Sequence, residues 1–190
     1  RPEGAYYQRN WHRDLLWCLY ECTLTNVEIK NGTIRYFGSD GIYEESSSGN
    51  SHRIINIRVI ANKKWGIALY GSNHLIEGCT ASFNEQSGIG ASYGSTITGN
   101  TVYNNGEDGI AAYFGCTITG NTSYNNGSNG IYIEGYSTIK NNTARSNGEY
   151  GINCNDSYGN CLIDGNTATS NTSGNLAPHT TSTLHANHAP

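Results

Sequence analysis

Residues 95–136 read STITGNTVYNNGEDGIAAYFG, followed at once by CTITGNTSYNNGSNGIYIEGY. The two blocks share Thr-Ile-Thr-Gly-Asn-Thr, Tyr-Asn-Asn-Gly and Gly-Ile at the same offsets, 21 residues apart. Self-similarity at a fixed period of this length is typical of solenoids, in which each repeat packs against its neighbours. The sequence therefore predicts a repeat architecture.

The repeat extends beyond this pair in both directions. With Ile97 as position 0, most repeats carry Asn at position +8, Gly at +12 and Ile at +13. The zero positions are residues 29, 54, 76, 97, 118, 139, 163 and 184, which gives steps of 25, 22, 21, 21, 21, 24 and 21 residues. The longer steps predict loops inserted near the N-terminal end and between Ile152 and Ile163.

Each repeat is predicted to hold three short β-strands. The first is centred on position 0, with Ile inward and Thr on both sides outward, and the third begins at the Gly-Ile pair. Gly-Asn at +2 and +3 predicts a tight corner, because both residues tolerate positive φ. Asn at +8 predicts the next corner, where amides stacked rung on rung can hydrogen-bond along the axis.

Three strands in 21 residues are too few to pack alone, so each rung is expected to stack on the next at a spacing of ~4.8 Å. The expected fold class is all-β, a parallel β-helix of seven to eight rungs. The frame predicts two interior columns of isoleucine. They are Ile54, Ile76, Ile97, Ile118 and Ile139, and Ile67, Ile89, Ile110, Ile131 and Ile152.

The repeat frame also divides the chain. Residues 25–176 are predicted to form the β-helix, and residues 177–190 an incomplete last rung or tail. Residues 1–24 lie outside the repeat; Trp11, Leu15, Cys18 and Cys22 have helical spacing, although neighbouring apolar residues alternate as in a strand. Either structure could cap the open end of a solenoid.

Composition excludes several classes of protein. The net charge is -4 with no basic stripe, which argues against a nucleic-acid partner. No apolar run reaches the roughly 18 residues of a membrane span. No Cys-x-x-Cys pair is present, and we predict no metal site and no cofactor. Cys154 and Cys161 are either a disulfide or two buried thiols.

The pattern Ile-x-x-Asn-Thr-x-x-x-x-Asn-x-x-x-Gly-Ile resembles the parallel β-helix repeat of the pectate-lyase-like superfamily. It is most similar to repeats of mannuronan C5-epimerases and NosD-like periplasmic proteins. The resemblance implies a right-handed helix of three parallel sheets and an extracellular, cell-surface or periplasmic location. It does not imply one function, because the superfamily holds lyases, hydrolases, epimerases, adhesins and inert rods.

The epimerases of this superfamily use an Asp-Pro-His motif on the third strand, and this chain departs from it. In the matching stretch, residues 65–70, Ala68 stands where the Asp would be and Tyr70 where the His would be. Ser92 takes the place of a second Asp in the next rung. The resemblance therefore does not support epimerase activity here.

The outward positions of the third strand, +14 and +16, suggest a different function. Tyr70 and Tyr113 lie two rungs apart there, roughly 10 Å along one face. We predict that Glu45, Tyr70, Tyr113, Tyr132 and Glu134 form a polysaccharide-binding surface for a neutral or weakly acidic chain, since a polyuronate would meet like charges. The alternative is that Tyr simply suits exposed strand positions.

Two functions thus remain open from the sequence. One is a non-catalytic β-helix that recognises a polysaccharide or serves as a structural rod. The other is a polysaccharide lyase, epimerase or hydrolase with its active site in the early loops or on a missing segment. The early loops collect His52, Arg53, Lys63, Lys64 and His74, together with Asp40, Glu44 and Glu45.

Overall fold

Short β-branched runs separated by Gly and Asn form 20 strands in the computed structural model, which describes residues 25–45, 49–154 and 158–190. No described residue is helical. The predicted cap, residues 1–24, lies outside the described residues. No helix in the described part of the chain has the length and hydrophobicity that a membrane crossing requires.

The strands lie in three rows. Two strands run through both the first and second rows: β1 (Glu28–Arg35) and β3 (Arg53–Ile60). The first row continues with β5 (Leu75–Glu77), β8 (Thr96–Thr98), β11 (Thr117–Thr119), β14 (Thr138–Lys140), β17 (Leu162–Asp164) and β20 (Thr183–His185). The second row continues with β6 (Thr80–Ser82), β9 (Thr101–Tyr103), β12 (Thr122–Tyr124), β15 (Thr143–Arg145) and β18 (Thr167–Thr169). The third row is β2 (Ile42–Glu44), β4 (Ile67–Leu69), β7 (Ile89–Ala91), β10 (Ile110–Phe114), β13 (Ile131–Gly135), β16 (Tyr150–Cys154) and β19 (Gly174–Pro178).

Every pairing between these strands is parallel, and the isoleucine columns are confirmed. Ile97 is aligned with Ile76 and Ile118 in neighbouring rungs, and Ile110 with Ile89 and Ile131. Both central residues have no exposed surface. The core is therefore a stack of aliphatic side chains along the axis.

Hydrogen bonding joins the first two rows into one 13-stranded sheet, while the third row is a separate sheet of seven strands. The rows are merged because β1 and β3 are each eight residues long and continue through the first corner. Three sheets are expected from the resemblance. The structure has three rows of strands, but hydrogen bonding connects them into two sheets.

Each regular rung turns three corners, and a residue with positive φ occupies each one. In the rung of Ile97 they are Gly94 (φ 68°), Gly99 (64°) and Asn104 (54°). Only Gly99 of the predicted Gly99-Asn100 corner has positive φ. The corner is therefore present where it is predicted, but Gly99 alone makes it, and the Asn100 side chain is buried.

The residue after each corner points inward and accepts a backbone hydrogen bond from the preceding rung. Ser95 Oγ accepts from His74 N–H (3.1 Å), Asn100 Oδ1 from Cys79 N–H (2.8 Å) and Asn105 Oδ1 from Asn84 N–H (3.1 Å). The interior thus contains three polar ladders, of which the sequence indicated only the one at +8. These ladders pair corner N–H groups that are buried away from water.

The insertion after β16 is closed by a covalent bond. Cys154 and Cys161 form a disulfide, whereas Cys79 and Cys116 are buried free thiols. Burial raises the pKa of Cys116 to about 11, so this thiol stays protonated and unreactive at neutral pH.

Candidate functional site

The outer surface of the third row is built on very small residues. Ala68, Gly90 and Ala111 are aligned on neighbouring strands at position +14. All three point away from the core, yet all are buried. The Trp65 ring lies over Gly90, where an added Cβ would come within 2.5 Å of it. Large aromatic side chains therefore cover this face.

Three tyrosine rings continue this aromatic layer along the axis. The ring centroids of Tyr43 and Tyr70 are 5.8 Å apart, and those of Tyr70 and Tyr113 are 6.4 Å apart. The sequence placed Tyr70 and Tyr113 roughly 10 Å apart from their two-rung separation. The rings are closer because the intervening rung carries only the small Ser92 at their position, +16, which leaves room for them to lean together.

Acidic groups surround these rings. Burial and then the charge of Asp40 raise the pKa of Tyr70. Burial, followed by Tyr70, Glu134 and Asp108, raises the pKa of Tyr113. Both phenols therefore remain protonated at neutral pH and can donate a hydrogen bond.

Two of the carboxylates nearby help to hold the backbone. Asp40 Oδ1 accepts from Trp65 N–H at 3.0 Å, and Asp108 Oδ1 accepts from the N–H and the Nδ2 of Asn129, both at 2.9 Å. The first of these bonds anchors the backbone of Trp65. Asp40 and Asp108 thus have structural roles beside the tyrosines.

The remaining residues of the predicted surface lie at its two ends. Glu45 is exposed and follows β2, beside Tyr70, whose N–H bonds Glu44 O at 3.4 Å. Tyr132 is aligned with Ala111, and both Tyr132 and Glu134 are half-buried. The structure thus places all five predicted residues on the outer face of the third row. The sequence prediction omitted Trp65 and Tyr43, although Tyr43 occupies the same outward position as Tyr132.

The early loops do not converge on an accessible site among the described residues. Lys63 is paired with the exposed Glu85, and Arg53 contacts Glu28 at 3.5 Å on the outside of the first row. Three other residues of the predicted group come together inside the helix instead: Glu44, His52 and His74. Each has at most 1% of its surface exposed.

In this buried cluster the Glu44 carboxylate faces the Nε2 atoms of two stacked imidazoles. His52 Nε2 is hydrogen-bonded to Glu44 Oε1 at 3.0 Å, whereas His74 Nε2 lies 3.1 Å from Oε2 without forming a hydrogen bond. The two rings are nearly parallel, with centroids 5.2 Å apart. Gly71 N–H donates to Oε2 at 3.2 Å.

One ligand atom from each of Glu44, His52 and His74 lies within 4.8 Å of the others, so we tested the cluster as a metal site. His52 Nδ1 accepts from Val27 N–H at 3.1 Å, and His74 Nδ1 accepts from His52 N–H at 3.2 Å. Each neutral ring therefore carries its proton on Nε2, the atom that faces Glu44. To bind a metal, each Nε2 would have to lose its proton and offer a lone pair. The proton would then sit on Nδ1, where it would face the backbone N–H that donates to that atom. The arrangement therefore suits a hydrogen-bonded carboxylate and not an ion.

The cluster keeps Glu44 ionised. Burial acts to raise the pKa of this carboxyl, but the contact with His74, the Gly71 N–H and the proximity of His52 together leave its pKa below the usual 4.5. The repeat frame places these three residues inside the helix. Glu44 is at +15, which points inward in other rungs, as at Leu69. His52 and His74 stand two residues before a position 0, and this position also points inward, as at Ser95.

The corner at positions +7 and +8 has a shallow groove, which is lined mainly by asparagine, glycine, Ser146 and Thr172. The amides at its base, such as Asn126, already bond within the ladder. Beside it, Tyr103 and Tyr124 stack in parallel at 5.0 Å, and the Arg145 guanidinium lies 4.6 Å from the centroid of Tyr124. These rings are engaged with each other and with Arg145, so structural stacking accounts for them.

The sequence matches the family model described as right handed beta helix region over residues 16–117 and 46–188. Comparison with curated proteins finds no significant match. The fold resembles a point mutant of the periplasmic alginate epimerase AlgG, with a TM-score of 0.78 and 22% identity over 86% of this chain and 45% of that one.

A second AlgG structure gives a TM-score of 0.69 at 21% identity, with coverage of 86% and 45%. The A-module of the Azotobacter vinelandii mannuronan C-5 epimerase AlgE6 gives 0.54 at 16% identity, over 87% of this chain and 58% of that one. The chain thus spans less than half the length of the AlgG structures, and at these identities the likeness shows the fold alone. The matched segments cover most of the sequence and the described rungs stack in parallel, so this chain belongs to the right-handed β-helix family.

Proposed function

We propose that this β-helix binds a linear polysaccharide along the outer face of its third row and does not modify it. The observation that carries the proposal is the continuous ladder of Tyr43, Tyr70 and Tyr113 rings. Tyrosine rings present apolar faces to the C–H groups of a sugar, and their hydroxyls can bond to sugar hydroxyls. The ring centroids follow one another at 5.8 and 6.4 Å, which gives an extended polymer a continuous stacking surface.

The structural neighbours support a polysaccharide as the ligand. By their names, they are epimerases of alginate and of mannuronan, built on the same fold. One of them is named as periplasmic, in keeping with an extracellular, cell-surface or periplasmic location for this chain.

The charge of the face favours a neutral or weakly acidic glycan over a polyuronate. Asp40, Asp108 and Glu134 lie close enough to the rings to raise their pKa values. A uronate carboxylate bound there would meet like charges. In this respect the ligand is expected to differ from those of the neighbours.

Burial of the imidazoles supports binding in preference to catalysis. A general acid or base must come within hydrogen-bonding distance of the sugar, but Glu44, His52 and His74 are at most 1% exposed. On the accessible face, Ala68 and Tyr70 replace the Asp and His of the epimerase motif. These two features make a lyase or epimerase centre the weaker candidate.

Titration calorimetry with neutral and uronic oligosaccharides tests the proposal. We expect Tyr70→Ala/Tyr113→Ala to weaken binding of the neutral ligand at least tenfold. The matched control is Tyr103→Ala/Tyr124→Ala, which removes a pair of neighbouring tyrosine rings from another face and should bind like the parent. Unchanged affinity in the first variant would rule out this face. Turnover of a uronate with release of an unsaturated product would establish the lyase function instead.

A further inference from the structure

A second row of aromatic residues lies at the corner that leads from the third row back to the first. We call Tyr93, Phe114, Tyr136 and Tyr158 the corner strip. Adjacent rings are in contact, with centroids 5.8 Å apart for Tyr93–Phe114, 4.8 Å for Phe114–Tyr158 and 6.5 Å for Tyr136–Tyr158. The strip therefore runs continuously along the axis, and no part of the function proposed above uses it.

The three tyrosines of the strip are unusually exposed for rings that pack together. Tyr93 is 55%, Tyr136 57% and Tyr158 50% exposed. Large aromatic groups exposed in one continuous patch commonly mark a binding surface. The packing within the strip alone leaves about half of each tyrosine in water.

The backbone at Tyr136 allows the role of its ring to be tested separately from stability. Tyr136 has φ 55° at the corner position that Gly94 and Gly115, both at 68°, occupy in the two preceding rungs. Glycine adopts this conformation without steric cost, whereas for a bulky residue it is strained. Phe83 has a similar φ of 57° at another corner, so the strain does not by itself mark a site. It means that Tyr136 can be replaced by a residue suited to this backbone without a loss of stability.

The size and charge of the strip indicate what it binds. A tyrosine offers roughly 200 Å² and half of it is exposed here, so the strip presents roughly 300–400 Å². A stable protein interface needs about 800 Å² from each partner. The described corner segments 92–95, 114–116, 135–137 and 158–161 contain no charged residue. A small, uncharged, aromatic surface with phenol hydroxyls suits a short neutral saccharide segment.

We propose that the corner strip is a stacking site for a neutral pyranose chain that lies parallel to the helix axis. The inference rests on the proposed function for the class of ligand but uses a different surface. Tyr113 of the third-row face directly precedes Phe114 of the strip, so the two surfaces adjoin along the axis. The sugar rings would stack on Tyr93, Tyr136 and Tyr158, whose hydroxyls can bond to the sugar.

The test is calorimetric titration of cellohexaose, xylohexaose and mannohexaose into the parent, Tyr93→Ala/Tyr136→Gly and Tyr93→Ala/Tyr136→Asn. Both Gly and Asn are compatible with the left-handed backbone at residue 136. We expect at least a tenfold loss of affinity in both double variants. The single variant Tyr136→Gly should melt at an unchanged or higher temperature than the parent, because glycine adopts positive φ freely. A lower melting temperature would show that the Tyr136 ring serves stability and would contradict the inference.

The matched control is Phe83→Asn. Phe83 is 54% exposed and has φ 57° at a different corner, where Asn104 and Asn125 stand in the next rungs. Its replacement relieves similar strain and should leave affinity unchanged.

The two sets of variants distinguish binding at the corner strip from binding at the third-row face. If the corner variants bind as the parent does while Tyr70→Ala/Tyr113→Ala does not, the inference is overturned and the proposed function stands. If only the corner variants lose affinity, the inference holds and the third-row face is ruled out. A parent that binds none of the three probes overturns the inference.

Discussion

Asn126 illustrates how one side chain connects three rungs. Its Oδ1 accepts from the N–H (3.1 Å) and the Nδ2 (3.0 Å) of Asn105, and its own N–H and Nδ2 donate to Asn147 Oδ1, both at 3.1 Å. The residue is 2% exposed, so water cannot replace these partners. The same geometry recurs at +3, where Asn121 lies between Asn100 and Asn142.

We therefore expect Asn126→Ala to lower the free energy of unfolding by about 1–3 kcal/mol, because it leaves buried backbone and amide groups unpaired. Denaturant titration measures this loss. Asn125→Gly is the matched control: Asn125 is exposed at the corner with φ 55°, which glycine adopts freely. An Asn126→Ala variant with the midpoint of the parent would show that the ladder is not stabilising.

The lowered pKa of Glu44 predicts that the free energy of unfolding depends on pH. Its pKa in the folded protein is below 4.5, so its stabilising contribution is present above that value and is lost as the pH falls through the lower folded pKa. Glu44→Gln removes the charge and sets an amide against the His52 Nε2–H. We expect it to cost about 1–3 kcal/mol at pH 7, and this deficit to shrink below pH 4.5.

Unfolding midpoints of the parent and Glu44→Gln between pH 7 and pH 3 measure the effect. Glu85→Gln is the control, since its exposed ion pair with Lys63 is expected to contribute less than about 1 kcal/mol. A difference between the parent and Glu44→Gln that is the same at every pH would contradict the role assigned to the charge.

At the scale of the strand, the core depends on the isoleucines of the first and third rows. Ile118 on β11 is fully buried between Ile97 and Ile139. Ile118→Ala should cost about 2–5 kcal/mol, because neighbours fixed in two rungs cannot collapse into the cavity. Thr117→Ala, on the exposed side of the same strand, should change stability by less than about 0.5 kcal/mol. Equal unfolding midpoints for the two variants would place the core elsewhere.

Strands and isoleucine columns could be predicted from the sequence because they depend on a repeated residue type. The polar ladder that begins at His52 could not, since its next members are His74, Ser95 and Cys116. The side chains of these residues all point inward and can accept a hydrogen bond, but they are not of one residue type. For the same reason Glu44 was grouped with loop charges although position +15 is a core position.

At the scale of the molecule, the predicted surface follows from strand alternation. Outward positions on the third row place Tyr70, Tyr113 and Tyr132 on one face, as the frame requires. The Trp65 ring over Gly90 depends on a side-chain direction that alternation does not specify. The corner strip was also missed, because its residues stand at irregular offsets where Tyr136 replaces a glycine.

The central claim is that the third-row face is where a polysaccharide binds, and aromatic NMR during titration with a neutral hexasaccharide tests it most directly. We expect saturable shifts for the ring signals of Tyr43, Tyr70 and Tyr113, whether or not the corner strip also responds. The stacked rings of Tyr103 and Tyr124 should stay unchanged. Shifts confined to Tyr103 and Tyr124, or no saturable shift in the third-row rings, would contradict the claim.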